Sequence, residues 1–203
     1  MVPQPDPRQH LMGHLEDKTT LRKTLAARRQ AAFEASDDVG IRLAQVFQTN
    51  GPPVPQGAVV AGFWPIKTEI DVRPLMDHLR GLGAQLALPY APDRLGGLDF
   101  RRYDGGPPEA VDAWGIPSPA KDAPGLRPDI VLVPLLGFDR HGARIGYGAG
   151  LYDRALTQLR QGGTVIAVGV GYAAQEVDEI PREAHDALLD WVITEEGVKF
   201  HAS

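Results

Sequence analysis

Residues 130–133, Ile-Val-Leu-Val, form an unbroken apolar run that is followed by a glycine-rich loop and then by a segment of helical spacing. Such a run, with no polar alternation, reads as a strand buried on both faces. Similar runs occur at 58–64, 85–88, 164–170 and 191–194, the last being the final strand expected. Residues 98–103 read as a partly exposed strand. Segments of helical spacing lie between the runs. One covers 38–48 and stops before Asn50-Gly51-Pro52-Pro53. Another covers 72–82, with Asp71 as its cap and Gly83 as its stop. A third runs from about Gly150 to Arg160 and ends at Gly162-Gly163. Strands alternating with helices predict an α/β fold, a single domain built on an open, mostly parallel sheet flanked by helices in a Rossmann-like three-layer arrangement.

Residues 15–33 predict a further helix, with Leu21, Leu25, Ala32 and Phe33 on its core face and Lys18, Arg22, Lys23, Arg28 and Arg29 on the opposite face. Asp17 is placed to cap it. Residues 1–14 are rich in proline and histidine and have no apolar signal core, so they read as a flexible extension of a domain covering 15–203. The 43% of hydrophobic residues supports a packed core. A net charge of −5 argues against a general nucleic-acid binder. The chain has no cysteine, which removes disulfides, thiolate metal sites and cysteine nucleophiles. No apolar run reaches the ~20 residues that span a bilayer. A cytoplasmic location is the expectation, with no membrane and no nucleic-acid partner. Residues 105–128 are long for a loop within a domain, which points to a substrate-covering segment anchored by Trp114 and Ile116.

The loop from Arg144 to Arg154 carries the chemistry. Gly146, Gly148 and Gly150 alternate with Tyr147 and Ala149, so the main chain can bend tightly and a ligand can approach it. Successive amides in such a loop form an anion-binding concavity, and a helix starting near Gly150 adds its positive end. Arg144 and Arg154 flank the loop. The loop is neither a Walker loop nor a clean dinucleotide fingerprint, and a tight turn with spare glycines is an equal reading of the spacing alone. Asp153 sharpens the choice. A carboxylate beside a phosphate is repulsive unless a cation lies between them, and Mg²⁺ takes one or two carboxylates with phosphate oxygens. Asp186 is the candidate second carboxylate. The alternatives are a helix N-terminal acid for Asp153 and a solvated loop residue for Asp186.

Residues 131–142, Val-Leu-Val-Pro-Leu-Leu-Gly-Phe-Asp-Arg-His-Gly, and 144–154, Arg-Ile-Gly-Tyr-Gly-Ala-Gly-Leu-Tyr-Asp-Arg, together resemble the signature of the 5-formyltetrahydrofolate cyclo-ligase family, also called 5,10-methenyltetrahydrofolate synthetases. The resemblance continues in Lys18-Thr19-Thr20-Leu21-Arg22, in residues 65–71, in residues 114–119 and in His185-Asp186, and so covers about 15–195. It implies an open α/β fold and an enzyme that uses ATP and Mg²⁺. The implied reaction converts 5-formyltetrahydrofolate, with or without a polyglutamate tail, to 5,10-methenyltetrahydrofolate, ADP and phosphate. In it the formyl oxygen is phosphorylated and N10 closes the ring.

The resemblance also implies roles. Lys18 and Arg22 would contact ATP. Arg144 and the loop of Gly146, Tyr147, Gly148, Ala149, Gly150, Leu151 and Tyr152 would hold its phosphates. Asp153 and Asp186 would bind the metal, and Glu69 the pterin. Phe63, Trp64, Trp114 and Tyr152 would stack on the folate rings. Arg144, Tyr152 and Asp153 would be catalytic. Four positions depart from the family pattern: Ala149, where some members have Gly or Lys; Tyr147, where some have Arg; Leu151, in place of a common Tyr; and Ser118, in place of Glu or Gln. The competing readings are a relative acting on another formylated or phosphorylated small molecule, an RNA-associated module using the basic residues of the first helix, and a dinucleotide-dependent oxidoreductase. A small-molecule enzyme acting as a monomer is the expectation.

Overall fold

The computed structural model describes residues 7–202, with side chains from Lys18 onward. Its helices are α1 (Pro7–Ala35), α2 (Val39–Asn50), α3 (Arg73–Gly81) and α4 (Leu151–Gln161). Its strands are β1 (Val59–Ala61), β2 (Gln85–Tyr90), β3 (Asp99–Arg102), β4 (Ala110–Val111), β5 (Pro117–Ser118), β6 (Ile130–Pro134), β7 (Gly137–Phe138), β8 (Arg144–Ile145), β9 (Ile166–Val170), β10 (Trp191–Thr194) and β11 (Gly197–His201).

Seven strands form one sheet in the order β11-β10-β9-β6-β1-β2-β3. The central strands are parallel, and the edge strands β3 and β11 are antiparallel to their neighbours. The expected mostly parallel α/β sheet is therefore what the chain forms. The strand expected last, 191–194, is β10, and β11 follows it after a short turn, pairing Gly197 with Thr194.

Buried on both faces, β6 sends its residues alternately to two cores. Ile130 and Leu132 join Val60, Leu88 and Val168 beneath α2 and α3. Val131 and Val133 join Ala61, Ala87 and Ala167 beneath Ala155 and Leu156 of α4. From β1 the chain moves outward to β2 and β3, then returns to β6 on the other side of β1 and proceeds outward again. The carboxyl ends of β1 and β6 thus flank the point where the winding direction reverses, which is where open α/β sheets leave a ligand crevice.

A third, smaller core lies over this end of the sheet. There Leu25 of α1 packs with Leu136, Ala143, Ile145 and Ile180. The close approach depends on Gly137, where an added Cβ would lie 2.4 Å from a Leu25 methyl. The ribbon of β7 and β8 is turned by Asp139, whose buried carboxylate accepts backbone N–H bonds from His141, Ala143 and Ile180.

Three expectations about helix ends and faces change. Asp17 does not cap a helix, since α1 starts at Pro7 and runs through it. Residues 1–6 of the expected N-terminal extension lie outside the described residues, and 7–14 belong to α1. The core face of α1 is also different: Phe33 is 48% exposed, whereas Lys18, Leu25 and Arg29 are buried. Positions 18, 22, 25 and 29 lie along one helical stripe, and that stripe turns inward. Among the described residues no helix is long and apolar enough to cross a membrane.

Candidate active site

Between α1, the glycine loop and the carboxyl ends of β1 and β6 lies a cavity of about 440 Å³, within the range of small-ligand sites. Phe63 and Trp64 line it just after β1, and Pro134 lines it at the end of β6. Lys18 and Arg22 of the inward stripe of α1 line it. Arg29, further along the stripe, reaches the lining residues Tyr147 and Glu69.

Around Lys18 the cavity is ionic. Its Nζ donates to Glu183 Oε1 at 2.8 Å and to Asp186 Oδ2 at 3.1 Å. Burial works to lower the Lys18 pKa, but the bonds to Glu183 and Asp186 outweigh it and hold the group above its usual value. Lys18 restrains Glu183 in turn, holding that carboxyl below its ordinary range. Asp186 also accepts the backbone N–H of Glu183 at 2.8 Å. One turn along α1, Arg22 Nε donates to the Gly146 carbonyl at 3.0 Å, and its guanidinium lies against Gly148.

The glycine loop leads directly into α4. Gly148 and Gly150 have φ of +98° and +65°, a region that glycine enters without steric cost. Gly150 is the residue before the first turn, so the unpaired amides of α4 open at the cavity. Asp153 stands in that first turn. Its Oδ1 accepts Arg144 Nη2 at 2.7 Å and the backbone N–H of Ala187 at 3.1 Å. Arg144 also donates to the Ala187 carbonyl. Burial pushes the Arg144 guanidinium below its ordinary pKa, against the attraction of Asp153 and Asp186. Arg154, expected to flank the loop, donates to the loop carbonyl of Ala149 and to that of Gly96 and does not line this cavity.

At the other end Glu69 is buried, and its Oε2 accepts the Ile66 N–H at 3.0 Å. Burial raises its pKa, and the Ile66 bond, Arg29 and Lys67 only partly offset this. Tyr152 connects the two ends, since its hydroxyl feels both Glu69 and Arg144. Burial first, and then Glu69, hold that phenol protonated far above its usual range.

Of the residues singled out from sequence, Lys18, Arg22, Phe63, Glu69, Arg144, the whole loop from Gly146 to Tyr152, Asp153 and Asp186 line this one cavity. Trp114 does not. It is 38% exposed on the β4–β5 hairpin, stacked with Arg94, and Ile116 and Pro117 form the wall instead. The structure thus does not bring Trp114 into the cavity with the other candidates. Ser118 is fully buried, and its Oγ has no hydrogen-bond partner among the described residues. Sequence reading missed Glu183, Asp112 and the buried role of Arg29. The signal for Arg29 was available, because it falls on the Lys18–Arg22–Leu25 stripe.

The donor set suits a phosphate ligand with a divalent cation. Among the described residues, no group of three or more His, Asp or Glu side chains forms a protein cage for a metal. Two carboxylates at the edge of an anion-binding loop are nevertheless what Mg²⁺ takes when phosphates supply the remaining oxygens. Lys18, Arg22 and Arg29 thus turn inward, while Lys23 and Arg28 stay on the exposed face of α1.

Together, the switch-point crevice and the glycine loop at a helix N-terminus define a small-molecule enzyme of the α/β class that handles phosphate. The model of the 5-formyltetrahydrofolate cyclo-ligase family matches residues 14–195, and the chain belongs to that family. It is accordingly a ligase of folate one-carbon metabolism. It is 31% identical to the 5-formyltetrahydrofolate cyclo-ligase of Escherichia coli K12 over 172 residues, covering 82% of this chain and 93% of that one. It is 36% identical to the enzyme of the same name from Mycolicibacterium smegmatis over 146 residues, 68% and 74% of the two chains. The solution structure of Aquifex aeolicus 5,10-methenyltetrahydrofolate synthetase superposes with a TM-score of 0.72 at 28% identity, covering 89% of this chain and 91% of that one.

Proposed function

We propose that the cavity holds ATP and 5-formyltetrahydrofolate end to end, and that the chain closes the folate ring by transferring the γ-phosphoryl group to the formyl oxygen. The observation that carries this reading is that one continuous cavity is lined both by the glycine loop with Lys18 and Asp153 and by Glu69 with Phe63. The formyl oxygen of an amide is a poor leaving group, and phosphorylation makes it a good one. N10 then forms a bond to the formyl carbon and gives up its proton, the bond from that carbon to the phosphorylated oxygen breaks as phosphate departs, and the products are the methenyl ring, ADP and phosphate. Such a reaction asks mainly for positioning and charge neutralisation.

In this reading the amides of Gly146–Leu151 and the first turn of α4 hold phosphate oxygens. Lys18 and Arg22 add charge-assisted bonds. Asp153 and Asp186 would hold Mg²⁺, which would supply charge neutralisation across the phosphates. Arg144 holds the Asp153 carboxylate in place, where it would serve as a ligand to the cation. Glu69 accepts two parallel bonds from the 2-amino and ring N–H groups of the pterin, and Phe63 packs on the ring. Tyr152 stays a neutral hydroxyl and can donate a hydrogen bond between the two substrates.

The test is direct. Purified protein with Mg·ATP and 5-formyltetrahydrofolate is expected to produce the near-ultraviolet absorbance of a methenyl folate, with one ADP formed per product. Absence of that product at high enzyme concentration would overturn the assignment.

A further inference from the structure

Arg29 takes no part in the scheme above, yet it is among the most deeply buried charges of the molecule, only 3% exposed. Its Nε donates to Thr68 Oγ1 at 3.2 Å, and its Nη2 to the Tyr147 hydroxyl at 2.5 Å. Its Nη1 is buried, has no hydrogen-bond partner among the described residues, and lies 3.9 Å from Glu69 Oε1. A buried guanidinium is costly unless it serves a carboxylate. The carboxylate within reach is the one that faces the cavity. The Tyr147 ring also lies 5.2 Å from the Lys67 ammonium, so the tip of the glycine loop rests on the same cationic pair that faces Glu69.

We propose that Arg29 is a positioning residue: it supplies the countercharge of Glu69 and, through Thr68 and Tyr147, fastens the folate-binding carboxylate to the phosphate loop. The inference rests on the reading of Glu69 as the pterin acceptor. Its consequence is that the two ends of the cavity are set by one side chain. A loop held down by Tyr147 fixes Arg29, and Arg29 keeps Glu69 ionised in a site whose burial favours the neutral acid. The charged and titratable groups facing Glu69 are Arg29 from α1, Lys67 from its own loop and the Tyr152 hydroxyl from α4, with Asp112 on the same cavity wall. Of these, Arg29 and Lys67 favour its ionised form. Lys67 is exposed to solvent and Arg29 is not, so Arg29 is the less screened of the two.

The experiment is the pH dependence of the folate KM in the whole enzyme, measured for the wild type, Arg29→Met, Arg29→Lys, Tyr147→Phe, Glu69→Gln and the Arg29→Met/Glu69→Gln pair. In Arg29→Met the carboxyl gains a proton at higher pH. Its folate KM is expected to rise by about tenfold near neutrality, the size of a direct pair coupling, and to fall back as pH is raised. Arg29→Lys restores most of the wild-type pH midpoint. In the Glu69→Gln background Arg29→Met adds little. Tyr147→Phe raises the ATP KM and moves the folate midpoint in the same direction as Arg29→Met, by less. An unchanged folate pH midpoint in Arg29→Met, or additive effects in the pair, would overturn the proposal. Where Arg29→Met does not fold, Arg29→Lys and Tyr147→Phe carry the test. A folate midpoint moved in Arg29→Lys as far as charge removal would move it, or an unchanged ATP KM in Tyr147→Phe, would then overturn it. An unchanged folate KM in Glu69→Gln by itself would instead overturn the pterin reading, so the two failures are told apart.

Discussion

Arg144 and Asp153 form a nearly enclosed ion pair at 2.7 Å, with the arginine side chain 6% exposed and the carboxylate 24%. The pair joins the second strand of the β7–β8 ribbon to the first turn of α4 and holds the glycine loop between them. It also gives Asp153 two duties, as a structural partner of Arg144 and as a proposed metal ligand. Replacing Asp153 by Asn keeps an acceptor for the Ala187 N–H but removes the countercharge of a buried guanidinium. Asp153→Asn is therefore expected to lose about 1–3 kcal/mol of stability and, separately, to raise the Mg²⁺ concentration needed for half-maximal activity at least tenfold. Thermal unfolding and a Mg²⁺ titration check the two parts. A variant that turns over normally at low Mg²⁺ would remove Asp153 from the metal site.

Glu69→Gln separates folate binding from ATP binding. The folate KM is expected to rise and the ATP KM to stay within about twofold, since single buried polar contacts carry about 1–3 kcal/mol. The same variant tests the electrostatics of the cavity. Burial raises the Glu69 pKa in the folded state. Its contribution to stability is thus fully present below the unfolded carboxyl value and is lost as pH rises through the folded one. The wild type should therefore lose stability relative to Glu69→Gln between about pH 4 and the raised value. Paired unfolding curves at pH 4 and pH 8 give the sign. A difference that favours the carboxylate as pH rises would contradict the burial argument.

Lys18 neutralises Glu183 and Asp186 together. Lys18→Met leaves two carboxylates facing each other at the phosphate end. The ATP KM is expected to rise by more than tenfold, an increase larger than that caused by Arg22→Met, because among the described residues Arg22 bonds only the Gly146 carbonyl. The folate KM should change little. Initial-rate kinetics with each substrate varied checks both, and an Arg22→Met effect that exceeds that of Lys18→Met would reverse the assignment of the stronger phosphate contact.

The sheet was legible in the sequence because its central strands are uniform apolar runs, and the glycine loop because only glycine tolerates its backbone. The inward face of α1 was not. Local periodicity assigns Lys18, Arg22 and Arg29 to solvent, and the partners that make their burial tolerable, Glu183, Asp186, Gly146 and Glu69, lie far away in the chain. Glu183 went unread for the same reason, because its meaning comes from a lysine 165 positions earlier. Trp114 was assigned to the folate rings from the resemblance of its segment, and local sequence does not reveal that the hairpin of β4 and β5 turns it outward. The edge strand β11 lacks the double-sided burial that makes a central strand visible.

Trp114 therefore yields a prediction opposite to the one its residue type invites. Trp114→Ala removes an exposed ring held by Arg94 and should leave the folate KM within about twofold, with a stability change of about 0.5 kcal/mol or less. A large rise in folate KM would mean that the hairpin closes inward over the bound folate.

Leu25 gives the last test, because it ties packing to chemistry. It is fully buried over Gly137 and is the apolar member of the stripe that carries Lys18, Arg22 and Arg29. Leu25→Ala opens a void beneath α1 and should cost about 2–5 kcal/mol. Leu156→Ala, on the α4 side of the sheet, should cost about the same. The two variants are expected to part in their kinetics at a temperature where both are folded. Leu25→Ala loosens the helix that presents the cations and should raise the ATP KM severalfold, whereas Leu156→Ala should not. Equal kinetic effects from the two would mean that α1 is held in place by its ion pairs rather than by this contact.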